Sequence, residues 1–326
     1  MKKAIVIGKF YPLHKGHDYL IETATKNSDQ LTIIVCHTKQ EKIPGYLRKK
    51  WIKEMYPETT VKLINCDNLD PDDSKLWAEM TLKWLGFRPD VVYTSEDYGE
   101  AYAKYMHCQH VLVDRKRKKY PVSGTKIRNN PFTFWQFLTP PVKAFYSIRV
   151  VIIGAESTGT TTLASELAKH YQTCWVPEYG RYYYEGRLYS HTDQWNTQEF
   201  MHIAAMQDKA EEQLAKCCNK ILICDTDPFA TTIWHQRYIR KRSAELEHYA
   251  EKKKHDLYIL TDCDIPFIQD GTRDGEYIRN WMHKEFIKRL KGTDKQFIIV
   301  SGKKDKRLKK AVNAIETILK KKIVVP

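Results

Sequence analysis

Short apolar-rich runs recur along the chain near 4–7, 31–36, 60–64, 90–94 and 110–113, and between them apolar residues tend to fall three and four apart. The first pattern reads as strands buried on both faces, the second as amphipathic helices. The alternation predicts helices over 17–26, 46–55, 74–85, 98–107 and 125–137, and with them a parallel sheet covered on both faces. Thr139-Pro-Pro141 interrupts the pattern. A second series opens at 149–153, with strands near 220–224, 257–261 and 296–300. Its helices are expected near 160–171, 194–217, 228–252, 281–290 and 306–320. The expected fold class is α/β with two parallel-sheet domains, 1–141 and 142–326, joined by a short, stiff Pro-Pro junction.

Composition narrows the class. With 42% hydrophobic and 29% charged residues the chain is expected to be globular, and no apolar run is long enough to span a bilayer. Met1-Lys-Lys ahead of the first strand is too short for a leader. The eight cysteines include no Cys-x-x-Cys pair, and several sit in strand-like runs, as reduced core residues of a cytoplasmic protein would. Much of the net charge of +14 comes from 115–119, 237–242 and 303–310. Nothing resembles a helix-turn-helix, a zinc finger or an aromatic RNA-binding sheet, so nucleic acid is not the expected partner. Such a field suits the steering of anionic nucleotides. The first basic stretch is expected beside phosphates and the other two on solvated helix faces. A homo-oligomer is compatible with the sequence.

The first strand runs into Gly8-Lys-Phe-Tyr-Pro-Leu-His-Lys-Gly-His17. Open α/β sheets gather ligands at the carboxyl ends of their strands. Gly8 lets the chain turn, with Lys9, Phe10 and Lys15 around the turn. His14 and His17 fall at or near a helix start, where backbone N–H groups and the dipole favour anions. This segment resembles the His-x-Gly-His signature of the nucleotidyltransferase superfamily, which binds ATP phosphates. The second signature of that superfamily has its counterpart in Pro121-Val-Ser-Gly-Thr-Lys-Ile-Arg128. Ser123 and Thr125 offer hydroxyls there and Arg128 a guanidinium, the hydroxyls having the alternative of capping a helix.

In the second half, Gly154-Ala-Glu-Ser-Thr-Gly-Thr-Thr161 lies between a strand and a helix with the spacing of a phosphate-binding P-loop. Glu156, Ser157, Thr158, Gly159 and Thr162 are expected around the phosphates with Gly154, and Thr161 would offer its hydroxyl to Mg²⁺. Thr160 stands where the pattern has lysine, which bridges the β- and γ-phosphates. Asp225 ends a buried strand and fits a second Mg²⁺ holder, while Asp227 fits either substrate binding or a helix cap. In Trp175-Val-Pro-Glu-Tyr-Gly-Arg181, Glu178 is a candidate to take a proton from a substrate hydroxyl or to bind a ribose. Tyr179 and Arg181 are expected beside the substrate. The turn-rich stretch 264–279 reads as a lid, with Arg273 or Arg279 replacing the charge of the missing lysine.

In this order the motifs resemble the bifunctional NadR-type family, a nicotinamide-nucleotide adenylyltransferase joined to a ribosylnicotinamide kinase. The resemblance implies NAD salvage, with ATP, nicotinamide mononucleotide and nicotinamide riboside as substrates, NAD as product and Mg²⁺ accompanying ATP. By position, it implies that His14 and His17 contact ATP phosphates and that Lys9, Lys15, Ser123, Thr125 and Arg128 hold the triphosphate. Trp77 and Trp84 become candidates to stack on nicotinamide, against the alternative of helix-core packing. Many members carry an amino-terminal DNA-binding domain; with a strand starting by Ala4, none is expected here. Thr160 keeps an alternative open, in which the second half binds nucleotide with weak catalysis, as a sensor or docking module.

Overall fold

The computed structural model describes residues 1–187, 194–269 and 275–324 and divides into two units, Met1–Val142 and Lys143–Val325. Strands buried on both faces demand helices on either side, and both units are built that way. The first runs β1 (Lys3–Gly8), α1 (Lys15–Lys26), β2 (Gln30–His37), α2 (Gly45–Met55), β3 (Thr60–Asn65), α3 (Ser74–Leu85), β4 (Val91–Thr94), α4 (Gly99–Met106), β5 (Gln109–Leu112) and α5 (Gly124–Asn129). Its parallel sheet has the order β3-β2-β1-β4-β5. The order reverses at β1, so the carboxyl end of β1, at Gly8, opens on the crevice where such sheets place ligands. The helix expected over 125–137 stops at Asn129 and resumes only as a 3-10 turn, Trp135–Phe137. Pro131 is the cause: it disfavours helical backbone at Asn130 and cannot donate an N–H. The expected Pro-Pro junction is instead the first turn of a helix, α6 (Pro140–Tyr146), where proline's missing N–H costs nothing.

The second unit continues with β6 (Ile148–Ile153), α7 (Thr160–Tyr171), β7 (Trp175–Val176), α8 (Tyr179–Arg187), α9 (Thr197–Ala215), β8 (Ile221–Asp225), α10 (Pro228–Ile239), α11 (Ala244–Glu251), β9 (Leu257–Thr261), α12 (Arg279–Lys291), β10 (Phe297–Val300) and α13 (Lys304–Val324). Its parallel sheet has the order β10-β9-β6-β8-β7. The single helix expected over 228–252 is two: Arg240 turns left-handed (φ 61°), and the Ser243 hydroxyl caps α11 through Leu246 N–H. Val150 to Ile152 and Leu222 to Cys224 have no solvent exposure. Each large aliphatic side chain so buried contributes roughly 1.5–3 kcal/mol, which makes the ends of β6 and β8 a stiff platform. None of the eight cysteines is in a disulfide, and no helix of the described residues is long and apolar enough to cross a membrane.

Candidate functional site

In the first unit the two signatures meet. The Arg128 guanidinium donates from Nη1 to the Tyr11 carbonyl at 2.6 Å and from Nη2 to Thr125 Oγ1 at 3.1 Å, and it lies over the Tyr11 ring. Gly124 packs on the same carbonyl, so closely that a Cβ would collide with it. Arg48, wholly buried, supports the turn from below: it donates to the Lys9 carbonyl at 2.6 Å, to the Cys36 carbonyl at 3.2 Å and to Glu41 at 2.5 Å. Lys9 itself extends toward Glu41 at 3.5 Å with its side chain largely exposed, and Lys15 opens α1. The Ser123 hydroxyl accepts from Lys126 N–H, so it caps α5.

His14 caps α1. Its Nδ1 accepts from the N–H groups of Gly16 (3.1 Å) and His17 (3.3 Å). An acceptor Nδ1 leaves the proton of a neutral ring on Nε2, so this capping assigns the tautomer. The rings of His14 and His17 stack with centroids 3.7 Å apart, and Phe10 meets His17 edge-on. Burial, reinforced by the Arg117 cation, lowers His14 to about 4; burial, His14 and Arg117 hold His17 well below the ordinary range. Nδ1 of His17 is buried without a hydrogen-bond partner. The turn thus presents two neutral imidazoles.

Trp77 and Trp84 meet edge to face and pack on the α3–α4 side of the core, and the Trp77 indole donates to the Asp70 carbonyl at 2.8 Å. This is the core alternative. The basic stretch 115–119 pairs with protein groups, Arg115 with Asp97, Arg117 with Glu96 and Lys119 over the Tyr19 ring, while the Arg117 cation also acts on His14 and His17.

In the second unit, Gly154 to Thr161 turn from β6 into α7 around a cavity of about 370 Å³. Ser157 and Gly159 have positive φ (55° and 81°), and at Gly159 this left-handed backbone is the reason for glycine. Thr158 fixes the loop through the Ala155 carbonyl (2.6 Å) and Thr261 (2.7 Å). Two arginines brace it. Arg307 donates to the Thr158 carbonyl at 2.6 Å, and Arg279 to the carbonyls of Ile265 (2.8 Å) and Ser157 (3.4 Å). Arg279, expected on phosphate, is therefore buried and bound to loop carbonyls. Arg307 and Arg237, expected on solvated helix faces, are likewise buried. Arg273 lies outside the described residues. From the described part of the expected lid, Ile268 N–H reaches Ser157 Oγ at 2.8 Å and Gly275 N–H reaches Glu156 at 3.3 Å.

Asp225 arrives at the end of β8, and Thr161 donates its hydroxyl to it at 2.6 Å. A hydroxyl and a carboxylate so paired are the hard oxygen donors a divalent cation takes, so the residues present fit Mg²⁺. Burial raises Asp225 to about 6 against the hydroxyls of Thr161 and Thr160 and the Arg181 cation. Burial, with Asp225 as second cause, raises Glu178 to about 8. Gln207, buried on α9, ties the two carboxylate loops together: its Oε1 accepts from Tyr179 N–H at 2.9 Å and its Nε2 faces the carbonyls of Asp225 and Thr226. Tyr184, Trp195, Phe200, Trp234 and Tyr238 make an aromatic wall of the same cavity, with Tyr184 and Trp195 nearly parallel. Tyr179 bonds His202 instead. Asp227, expected as a substrate or capping residue, is the cap: Oδ1 accepts from Ala230 N–H (2.9 Å) and Oδ2 from the Tyr258 hydroxyl (2.6 Å), fully buried. Behind it His255 bonds Tyr258 and Glu211.

Sequence reasoning missed Arg48, Gln207, Arg307 and the aromatic wall. Each sits at a helical position or, for Trp195, just before a helix, where spacing predicts core or surface and carries no chemical signature.

The protein-family profile described as an AAA domain matches residues 149–307. The trifunctional NAD biosynthesis/regulator protein NadR of Escherichia coli strain K12 is 30% identical over 292 residues, covering 82% of this chain and 71% of that protein. The protein of the same name from Salmonella typhimurium strain LT2 is 28% identical over the same shares. Among solved structures, a NadR protein in complex with NR matches with a TM-score of 0.74 and 21% identity, covering 98% of this chain and 96% of that one. A NadR protein in complex with NAD and AMP-PNP matches with a TM-score of 0.73 and 21% identity, over 100% and 97%.

Proposed function

Because the chain belongs to the NadR family of NAD biosynthesis proteins, we propose that its first unit transfers AMP from ATP to nicotinamide mononucleotide and that its second phosphorylates nicotinamide riboside. The observation that carries the reading is the meeting of the two signatures on the Tyr11 carbonyl, beside stacked neutral histidines. In the first reaction a phosphate oxygen of the mononucleotide attacks the α-phosphorus of ATP. The bond to the bridging oxygen breaks, and pyrophosphate leaves with its electrons. No protein nucleophile is needed; positioning and charge stabilisation supply the rate. His14, with its proton on Nε2, donates to a phosphate oxygen, and the negative charge so gathered favours protonation of both rings.

In the second reaction Glu178 takes the proton of the ribose 5′-hydroxyl as it attacks the γ-phosphorus, the bond to the β–γ bridging oxygen breaks, and ADP leaves with its electrons. Burial raises Glu178 to about 8, which makes its ionised form a stronger proton acceptor and sets the reaction to rise with pH. The aromatic wall supports the reading of a flat ring bound opposite the phosphate loop. Thr161 and Asp225 would hold Mg²⁺, whose charge neutralises the phosphate oxygens. A second reading, a nucleotide-binding second unit with weak catalysis, is favoured by Thr160 in the lysine position.

Purified protein incubated with ATP, Mg²⁺ and nicotinamide riboside should form NAD, and nicotinamide mononucleotide should do so directly. No NAD from the mononucleotide sinks the first assignment. NAD from the mononucleotide alone selects the second reading.

A further inference from the structure

We propose that Arg117 takes a substrate phosphate in the first unit, and that its ion pair with Glu96 is a latch which the phosphate opens. The inference rests on the adenylyl-transfer reading of that unit. Two loops meet beside the histidine turn. One follows β4, the strand next to β1, and carries Glu96 and Asp97; the other follows β5, the next strand along, and carries Arg115 and Arg117. The second loop is a built turn. Arg117 N–H donates to the Asp114 carbonyl at 2.7 Å, and the Asp114 carboxylate accepts from the N–H groups of Lys118 (2.8 Å) and Lys119 (3.1 Å). Asp114 and Arg117 have left-handed backbone, φ 47° and 49°. That conformation is uncommon outside glycine, so its use at an arginine marks a position held for its side chain. The far end of the turn is fixed to α1, where the Lys119 ammonium lies 3.8 Å from the centre of the Tyr19 ring and Tyr120 meets that ring edge-on. Tyr19 is two residues beyond His17. The turn thus holds Arg117 at the crevice, and its charge acts on both His14 and His17. Its partner there is exchangeable. Arg117 Nη2 lies 3.3 Å from Glu96 Oε1, with both side chains exposed. An exposed ion pair favours its closed state by about fivefold at most. A guanidinium that grips a phosphate through two N–H groups is held more strongly and in a defined geometry. Arg48 and Arg128 are already bound to backbone carbonyls, whereas Arg117 is held by a carboxylate that a phosphate can displace. The exchange brings a fixed positive charge to the phosphates beside two imidazoles that are neutral before substrate arrives.

The test is steady-state NAD formation by the full chain from ATP and nicotinamide mononucleotide, each varied in turn while the other saturates. Arg117→Ala should lower kcat/KM by about tenfold or more with an unchanged melting temperature, and Arg117→Lys should recover part of the loss. The arm with the larger loss identifies the phosphate, the triphosphate of ATP or the attacking phosphate of the mononucleotide. Glu96→Gln removes the competitor and should act in the opposite sense, lowering the same KM by up to about fivefold. Arg115→Ala changes the charge of the turn equally and should leave both arms unchanged. Wild-type kinetics of Arg117→Ala in both arms overturn the inference. So does a Glu96→Gln variant that loses activity as Arg117→Ala does, since the pair is then a structural tie. A loss in Arg115→Ala as large as that in Arg117→Ala also overturns it, since the turn then acts only as a general field. No NAD from the wild-type protein instead rejects the adenylyl-transfer reading on which the inference rests.

Discussion

His17 is the side chain on which the adenylyl-transfer proposal is most exposed to test. Its ring is held by stacking on His14 and by Phe10, so removing it leaves both supports standing on the α1 turn. Loss of one preorganised donor typically costs about 100-fold or more in turnover. His17→Ala should therefore cut NAD formation from the mononucleotide by about that factor with an unchanged circular dichroism spectrum; an unchanged rate refutes the role. Asp227 makes the opposite prediction. Its oxygens are taken by Ala230 N–H and Tyr258, so Asp227→Ala removes a cap and the carboxylate acceptor of a buried hydroxyl, leaving that hydroxyl only His255. The loss should be about 2–4 kcal/mol of stability, read from denaturant melts, with the riboside KM little changed in whatever folded enzyme remains. A large KM increase in a variant of wild-type stability would return Asp227 to the substrate site.

At the scale of elements, the loops after β7 and β8 are set by α9. Gln207 takes Tyr179 N–H on one side and faces the Asp225 carbonyl on the other, which fixes the spacing of the two candidate catalytic carboxylates. Gln207→Leu should lower kinase kcat more than ATP affinity; a loss confined to affinity would contradict a positioning role. The carboxylates also give a sign. Glu178, at about 8, and Asp225, at about 6, bind protons more tightly folded than unfolded, where carboxyls titrate near ~4. Their contribution is full below the unfolded value and is lost as pH rises through the folded one. The second unit should thus melt at a higher temperature at pH 6 than at pH 8.5 in calorimetry, and Glu178→Gln should flatten that dependence. Much of this architecture was legible because its signals are local. The apolar runs mark β6 and β8, Gly159 marks the loop, and a carboxylate directly after an apolar run marks Asp225. Asn130-Pro131 is as local, yet the apolar spacing across it suggested continuous helix. Gln207, Trp234 and Tyr238 were not legible, since function there depends on which residues α9 and α10 turn toward the cavity, and spacing alone assigns such residues to core. Arg307 hid in a charged run because only the tertiary fold brings it under the Thr158 carbonyl.

For the whole molecule, two separately built units with different proposed chemistries should fail separately. The parallel sheets have their own strand orders, and each unit carries its own machinery: stacked imidazoles at the end of β1 in one, and a phosphate loop facing Asp225 and Glu178 in the other. The proposed product of the second unit is the substrate of the first. His17→Ala, given riboside, ATP and Mg²⁺, should accumulate nicotinamide mononucleotide and make little NAD. Glu178→Gln should consume no riboside yet convert added mononucleotide at the wild-type rate. Chromatography of the three nicotinamide species over a time course reads both outcomes in one experiment. If Glu178→Gln also lost mononucleotide conversion while remaining folded, the two reactions would not be divided between the units as proposed. If His17→Ala left the riboside untouched, the phosphate loop without its lysine would be a binding site rather than a kinase, or the kinase would depend on an intact first site; the same assay on a Thr160→Lys variant separates these, because restoring the lysine should rescue only a catalytically weak loop.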